Sequence, residues 1–179
     1  MVKAIVKVVE RDPALLTAVE ARVDPEALQT MRTSTRLAWV PAENFEALKR
    51  ALHHQLGEAA YVELWRRYSS SITDNPLFRN LLEGGKRIFG NSPAGILKWM
   101  PKGWALTTRE CGHLHTEVEP HAAVATIEGA PPCARHRCTG LSSAGSILGL
   151  FDLLSLEGEC ELDDSRCDEG RFVMRARWD

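Results

Sequence analysis

Apolar positions fall at helical spacing from the first residues onward. Val2, Ile5, Val8 and Val9 follow one another in this way, and Pro13 after Asp12 opens a second short helix, so residues 2 to about 30 read as helical. After "TSTRLAWV", Pro41 suits the first turn of a helix whose apolar stripe is Phe45, Leu48, Leu52 and Leu56, closed by Gly57. Tyr61, Leu64, Trp65 and Tyr68 repeat the pattern beyond that glycine. In "TDNP", Asn75 is a cap and Pro76 the first position of a further helix through Phe78, Leu81 and Leu82. The glycines of "EGGKRIFGNSP" weaken it, and Ser92 before Pro93 marks a restart carrying Ile96, Leu97 and Trp99. Pro101 and Gly103 are expected to end this helical half at residue 103.

From Trp104 the period changes to two. Leu114, Thr116 and Val118 alternate with His113, His115, Glu117 and Glu119, and "AAVATIEG" reads as a further strand. Residues 137–155 then predict a helix with an apolar side at Leu141, Ile147, Leu148, Phe151 and Leu154. Its first half is crowded with Gly140, Ser142, Ser143, Ala144, Gly145 and Ser146, followed by Gly149, and such small residues permit close approach of another backbone. A terminal hairpin closes the pattern. Cys160 and Leu162 share a face with Phe172, Met174, Ala176 and Trp178, while Glu159, Glu161 and Asp163 lie opposite Arg171, Arg175 and Arg177. The fold class expected is α+β: a helical N-terminal half packed on a twisted antiparallel sheet with one inserted helix. One domain over residues 1–179 is the prior for this length.

Composition narrows the function classes. A hydrophobic content of 44% with 26% charged residues reads as globular, and no apolar run approaches a membrane span. Lys3, Lys7, Glu10 and Asp12 interrupt the first apolar stretch, so no secretory signal is expected, and five cysteines without a tidy framework suit a reducing, cytoplasmic setting. A net charge of -2 gives no field for nucleic acid.

The chemistry-bearing residues form no complete catalytic motif. "GLSSAG" around Ser143 is not a nucleophile elbow, and "EGGKR" lacks the glycine and hydroxyl of a phosphate-binding loop, so no enzyme is expected. Cys111, His113, His115, His121, Cys133, His136, Cys138, Cys160 and Cys167 concentrate late in the chain, yet neither "CGH" nor "CARHRC" has the paired spacing of a zinc finger. His113 and His115 share a strand face with Glu117 and Glu119, an arrangement that could bind a metal or sense pH but is more often simply a solvated sheet face. Only one of His53 and His54 can face a core, and neither is assigned a role. Five tryptophans, Trp39, Trp65, Trp99, Trp104 and Trp178, are core anchors or the lining of an apolar pocket.

The order of these features, with a "W-V-P" turn into an amphipathic helix, then strands, then "CTGLSSAGSILGLFDLL" and a cysteine-bearing hairpin, resembles a ligand-binding superfamily. That superfamily is shared by vinyl-4-reductase-type domains, haem nitric-oxide-binding domains and TRAPP vesicle-tethering subunits, and the chain looks closest to a related uncharacterised myxobacterial family. The resemblance implies an internal pocket or a partner-binding face. It also implies a zinc set made of Cys133 or Cys138, Asp164 and Cys167, with the third cysteine of the pattern missing from "CDEGRFVMRARW". Haem-binding relatives use Tyr-x-Ser-x-Arg, whereas "YSSSI" keeps Tyr68 and Ser70 and puts Ile72 in place of the arginine, so haem is not expected.

The functional expectation is a non-catalytic module that binds a small apolar ligand or signals through protein contact. Its pocket is expected to be lined by Trp65, Phe78, Trp99, Leu141, Ala144, Gly145 and Leu148. The alternative is a TRAPP-like interaction scaffold, homodimeric and without ligand. No cofactor is expected, with zinc as the lesser alternative; no nucleic acid or membrane span is expected, and the protein partner is unidentified.

Overall fold

A computed structural model describes residues 2–35, 38–71, 79, 83–84 and 92–179 of the chain. Two compact units emerge, Met1–Tyr61 and Val62–Asp179.

The first unit is helical. α1 (Val2–Glu10) buries Ile5, Val6 and Val9, and α2 (Pro13–Glu20) buries Leu15, Ala18 and Val19. The chain then repeats an Asp-Pro device. The Asp12 carboxylate accepts the N–H groups of Ala14 and Leu15, and Asp24 accepts those of Glu26 and Ala27, so α3 (Pro25–Thr33) starts as α2 does. The sequence pattern divides residues 2 to about 30 at Pro13 only, so α3 is a helix beyond the two expected. The Arg32 guanidinium ties the three together by donating to Glu10 at 2.9 Å and Glu20 at 3.0 Å. α4 (Ala42–Ser70) buries Leu48, Ala51 and Leu52 in its first half and breaks at Gly57, whose φ of 71° and ψ of 171° no side-chain-bearing residue adopts without strain. The Glu46–Lys49 pair, 2.7 Å apart, is one turn of α4 and almost wholly buried.

The second unit contains the end of α4, then α5 (Pro93–Thr107), β1 (His113–Val118), β2 (Ala122–Glu128), α6 (Arg137–Leu153), β3 (Gly158–Asp163) and β4 (Phe172–Trp178). The strands form one antiparallel sheet in the order β1-β2-β4-β3. Register sorts its faces. Leu114 opposes Ile127, Ala125 opposes Met174, and Cys160 opposes Ala176, so one face is apolar across all four strands. α5 lies against β1 and α6 against β3 and β4. Ile96, Leu97, Ile147, Leu150 and Phe151 thereby meet Leu114, Ile127, Phe172, Met174 and Trp178 in one core. Phe151 and Trp178 stand 5.7 Å apart between ring centres. The α+β class expected from the sequence is the one observed.

Two boundaries differ from expectation. α5 runs on through Pro101 and Gly103 to Thr107, and the sheet starts at His113 rather than at Trp104. Gly103 is a packing residue here, because a Cβ on it would stand 2.7 Å from the Trp99 ring. Burial of Ile96 and Leu97 holds the helix against the break that proline favours. Of the helix expected through Phe78, Leu81 and Leu82, those three residues lie outside the described ones. Among the described residues, no helix is long and apolar enough to cross a membrane.

Candidate functional site

The four residues of the expected zinc set all fall in the second unit. Cys133 sits in a 3-10 turn (Pro132–Ala134), Cys138 is buried in the first turn of α6, Asp164 follows β3, and Cys167 opens another 3-10 turn (Cys167–Glu169). They are not gathered around a common point. Among the described residues no group of three or more His, Cys, Asp or Glu could hold a metal ion. Both Asp164 oxygens instead accept from one Arg137 nitrogen at 2.9 Å, and the Cys167 N–H donates to the Asp164 carbonyl at 3.0 Å, so the Asp-x-x-Cys spacing builds a turn. On β3, burial and the neighbouring Glu161 push the Cys160 thiol up to about 12, which keeps it protonated and a poor nucleophile.

Of the expected pocket residues, Trp65 and Gly145 meet. A Cβ on Gly145 would stand 2.8 Å from the Trp65 Cβ and 2.6 Å from the Val62 carbonyl, and one on Gly149 would stand 2.3 Å from the Arg66 carbonyl. The small residues of α6 therefore seat it against the end of α4 with no room for a methyl group at either glycine. A Cβ on Gly140 would likewise meet Leu162 at 2.7 Å. Ala144 faces the sheet core with Leu148 partly packed on it, and Leu141 is buried. Trp99 folds onto Gly103 of its own helix, and Phe78 lies outside the described residues. An ion pair reinforces the α4–α6 seam. Arg66 donates to both oxygens of Asp152 at 2.7 and 2.6 Å, and this holds the Asp152 carboxyl below its ordinary range.

Open space occurs elsewhere in this unit. A cleft of about 270 Å³ lies between the end of α5 and the start of β1, lined by Trp104, Thr108, Glu110, His113, Leu114 and His115 among others. Its rim is rigid: Glu110 holds a φ of 55°, the Trp104 indole N–H donates to the Gly112 carbonyl at 3.1 Å, and a Cβ on Gly112 would collide with the Glu128 carbonyl at 2.4 Å. Leu114 belongs to the apolar face of the sheet and His113 and His115 to the other, so the cleft wraps around the free edge of β1.

One polar group in the first unit stands out. The Nε2 of His53 is buried without a hydrogen-bond partner, and its ring meets Tyr61 edge-on at 5.3 Å. Helical phase separates it from the exposed His54, but nothing in the sequence marks the orphaned nitrogen.

No protein-family model matches the chain, and no curated protein is similar to it. Solved structures do match. An H-NOX protein from K. algicida in its Fe(II) unliganded form superposes with a TM-score of 0.68 at 13% identity, over 97% of this chain and 92% of that one. A point mutant of that same protein, also Fe(II) and unliganded, gives 0.69 at 12% identity, with the same coverage. A third structure, from work on heme distortion in the H-NOX family, gives 0.55 at 14% identity, over 97% and 90%.

These findings correct the expectation about cofactors. Ile72 in "YSSSI" does not exclude haem, because solved proteins that share this architecture are described by their Fe(II) state and by the distortion of their heme. Tyr68 is buried in α4, the Ser70 hydroxyl donates to the Arg67 carbonyl of its own helix, and Ile72 lies outside the described residues. From α1 to β4, this chain has the H-NOX fold.

Proposed function

We propose that the chain is a non-catalytic sensing module, in which a bound small molecule shifts the population of a surface read by another protein. The observation that supports this reading is the likeness to H-NOX structures over 97% of the chain. Haem, when bound, supplies an iron with a coordination position open to a small ligand. His53 is the residue that would hold the iron in this chain, through its buried and unpartnered Nε2. A buried ring nitrogen without a partner costs about 1–3 kcal/mol, and coordination removes that cost. Tyr61, in edge contact with the ring at 5.3 Å, would help to orient the imidazole.

Hemin titration of the purified full chain tests this, followed by absorption spectroscopy and native mass spectrometry. The expected result is one equivalent bound with a Soret band, and a ferrous spectrum altered in His53→Gln. Another retained organic molecule, in place of haem, would keep the sensing role and change its ligand. A chain that takes up neither haem nor any other small molecule would sink the sensing role.

A second reading, an interaction scaffold without ligand, draws support from the α4–α6 seam. The residues that suggested a cavity wall are those that bring two backbones together at Gly145 and Gly149. Under this reading the chain engages its partner with equal affinity before and after exhaustive removal of small molecules.

A further inference from the structure

We propose that the free edge of β1 is a self-complementary interface, through which two copies of this chain pair antiparallel about a two-fold axis at Thr116. Among the described residues no strand lies on the side of β1 away from β2. The direction of its backbone groups follows from the ladder. The Glu119 N–H donates to the Ala122 carbonyl at 2.8 Å, so Glu119, Glu117, His115 and His113 turn their N–H and C=O toward β2. Leu114, Thr116 and Val118 therefore turn theirs outward, to the open edge.

A second copy satisfies those groups only in registers that pair even residues with even ones. Centring on Thr116 sets Leu114 against Val118 on the apolar face. On the other face it sets His115 against Glu117 and His113 against Glu119, at the non-hydrogen-bonded positions where opposed side chains stand closest. Moving the centre by one residue keeps even residues paired with even ones but sets His115 against His115, or Glu117 against Glu117, so the register centred on Thr116 is the one without a like pair of histidines or glutamates across the axis.

The charges on β1 are available for this, unlike those on β3. Glu159 opposes Arg177 within the sheet, Glu161 opposes Arg175, and Asp163 reaches Arg175 at 3.6 Å. On β1, Glu117 opposes Val124 and Glu119 opposes Ala122, with no base across the strand pair, and His113, His115, Glu117 and Glu119 are all exposed. On the other edge of the sheet Glu159, Glu161 and Asp163 are already engaged by Arg177 and Arg175, so β3 offers no uncommitted charge to a copy of itself. Pairing of β1 with β1 is isologous and closes at two copies. The cleft beside Leu114 and Trp104 then receives Val118 of the second copy.

Sedimentation velocity on the full chain tests the interface. The expected species is a dimer. Glu117→Lys with Glu119→Lys, and separately His113→Glu with His115→Glu, each weaken it on the order of tenfold or more, while an equimolar mixture of the two variants restores a heterodimer. These positions are exposed, so each variant keeps the wild-type circular dichroism spectrum and melting curve. A Thr116→Cys chain is expected to cross-link to itself on oxidation, beyond the level of the wild-type cysteines. A monomer at all concentrations, or a dimer of unchanged strength in both variants, overturns the proposal. So does a monomer whose β1 amides gain exchange protection only from an added extended peptide, which would assign the edge to a foreign strand.

Discussion

Arg66 and Asp152 lie 86 positions apart in the chain and yet meet as a two-pronged pair, and no feature of either neighbourhood announces it. The pair is about a third exposed on each side, so its net worth is under about 1 kcal/mol. Its sign with pH is definite. Arg66 depresses the Asp152 carboxyl below 3.8, so the stability it contributes is present above that value and lost as pH falls through the folded one. Asp152→Asn is expected to lower the urea midpoint at neutral pH and to converge with the wild type once the pH falls below the depressed folded value of Asp152. What sequence reveals at this scale is residue type. It limits the His53–His54 pair to one core-facing member but reveals neither which one nor the bare nitrogen, since hydrogen-bond satisfaction depends on what the fold brings near.

Elements were legible where pattern and punctuation agree. The Asp12–Pro13 start, the Gly57 interruption and the inward row of Phe172, Met174, Ala176 and Trp178 all stand in the structure as read. Pro101 and Gly103 misled because their chemistry favours a break that tertiary burial overrode, and extending the sheet back to Trp104 hid the cleft that Trp104 and Leu114 line together. Glycine itself has two meanings here. A Cβ on Gly57 meets nothing within 4 Å, so Gly57→Ala is expected to cost about 1–3 kcal/mol through backbone conformation alone. At Gly149 the backbone is helical and the obstacle is the Arg66 carbonyl, so Gly149→Ala is expected to cost about 1–3 kcal/mol by forcing α6 away from α4. Urea melts of both variants, beside the crystal or NMR position of α6, separate the two: a displaced helix is expected only for Gly149→Ala.

At the scale of the whole molecule, alternation predicts which face a strand residue takes and is silent on strand order. The order β1-β2-β4-β3 puts the last strand in chain order between two others. Trp178, 6% exposed and packed on Phe151, therefore anchors the middle of the sheet, whereas Trp39 is 49% exposed. Trp178→Ala is expected to cost about 3–5 kcal/mol and Trp39→Ala within about 0.5 kcal/mol. Guanidinium unfolding followed by circular dichroism reads both, and similar losses for the two would mean that the sheet core is not where Trp178 acts. The five tryptophans looked equivalent in the sequence because burial is decided by contacts that no local pattern encodes.

That strand order has a consequence during synthesis on the ribosome. The β1–β2 hairpin and α6 are made well before Phe172–Trp178, so β2 waits with one side of "AAVATIE" bare while β3 has nothing to pair with. A two-stranded hairpin is marginal on its own in water, and an unpaired apolar strand edge invites other nascent chains. The growing polypeptide thus passes through an interval in which the edge of β2 has the right pattern and no partner, and that interval closes only when Phe172–Trp178 has been made.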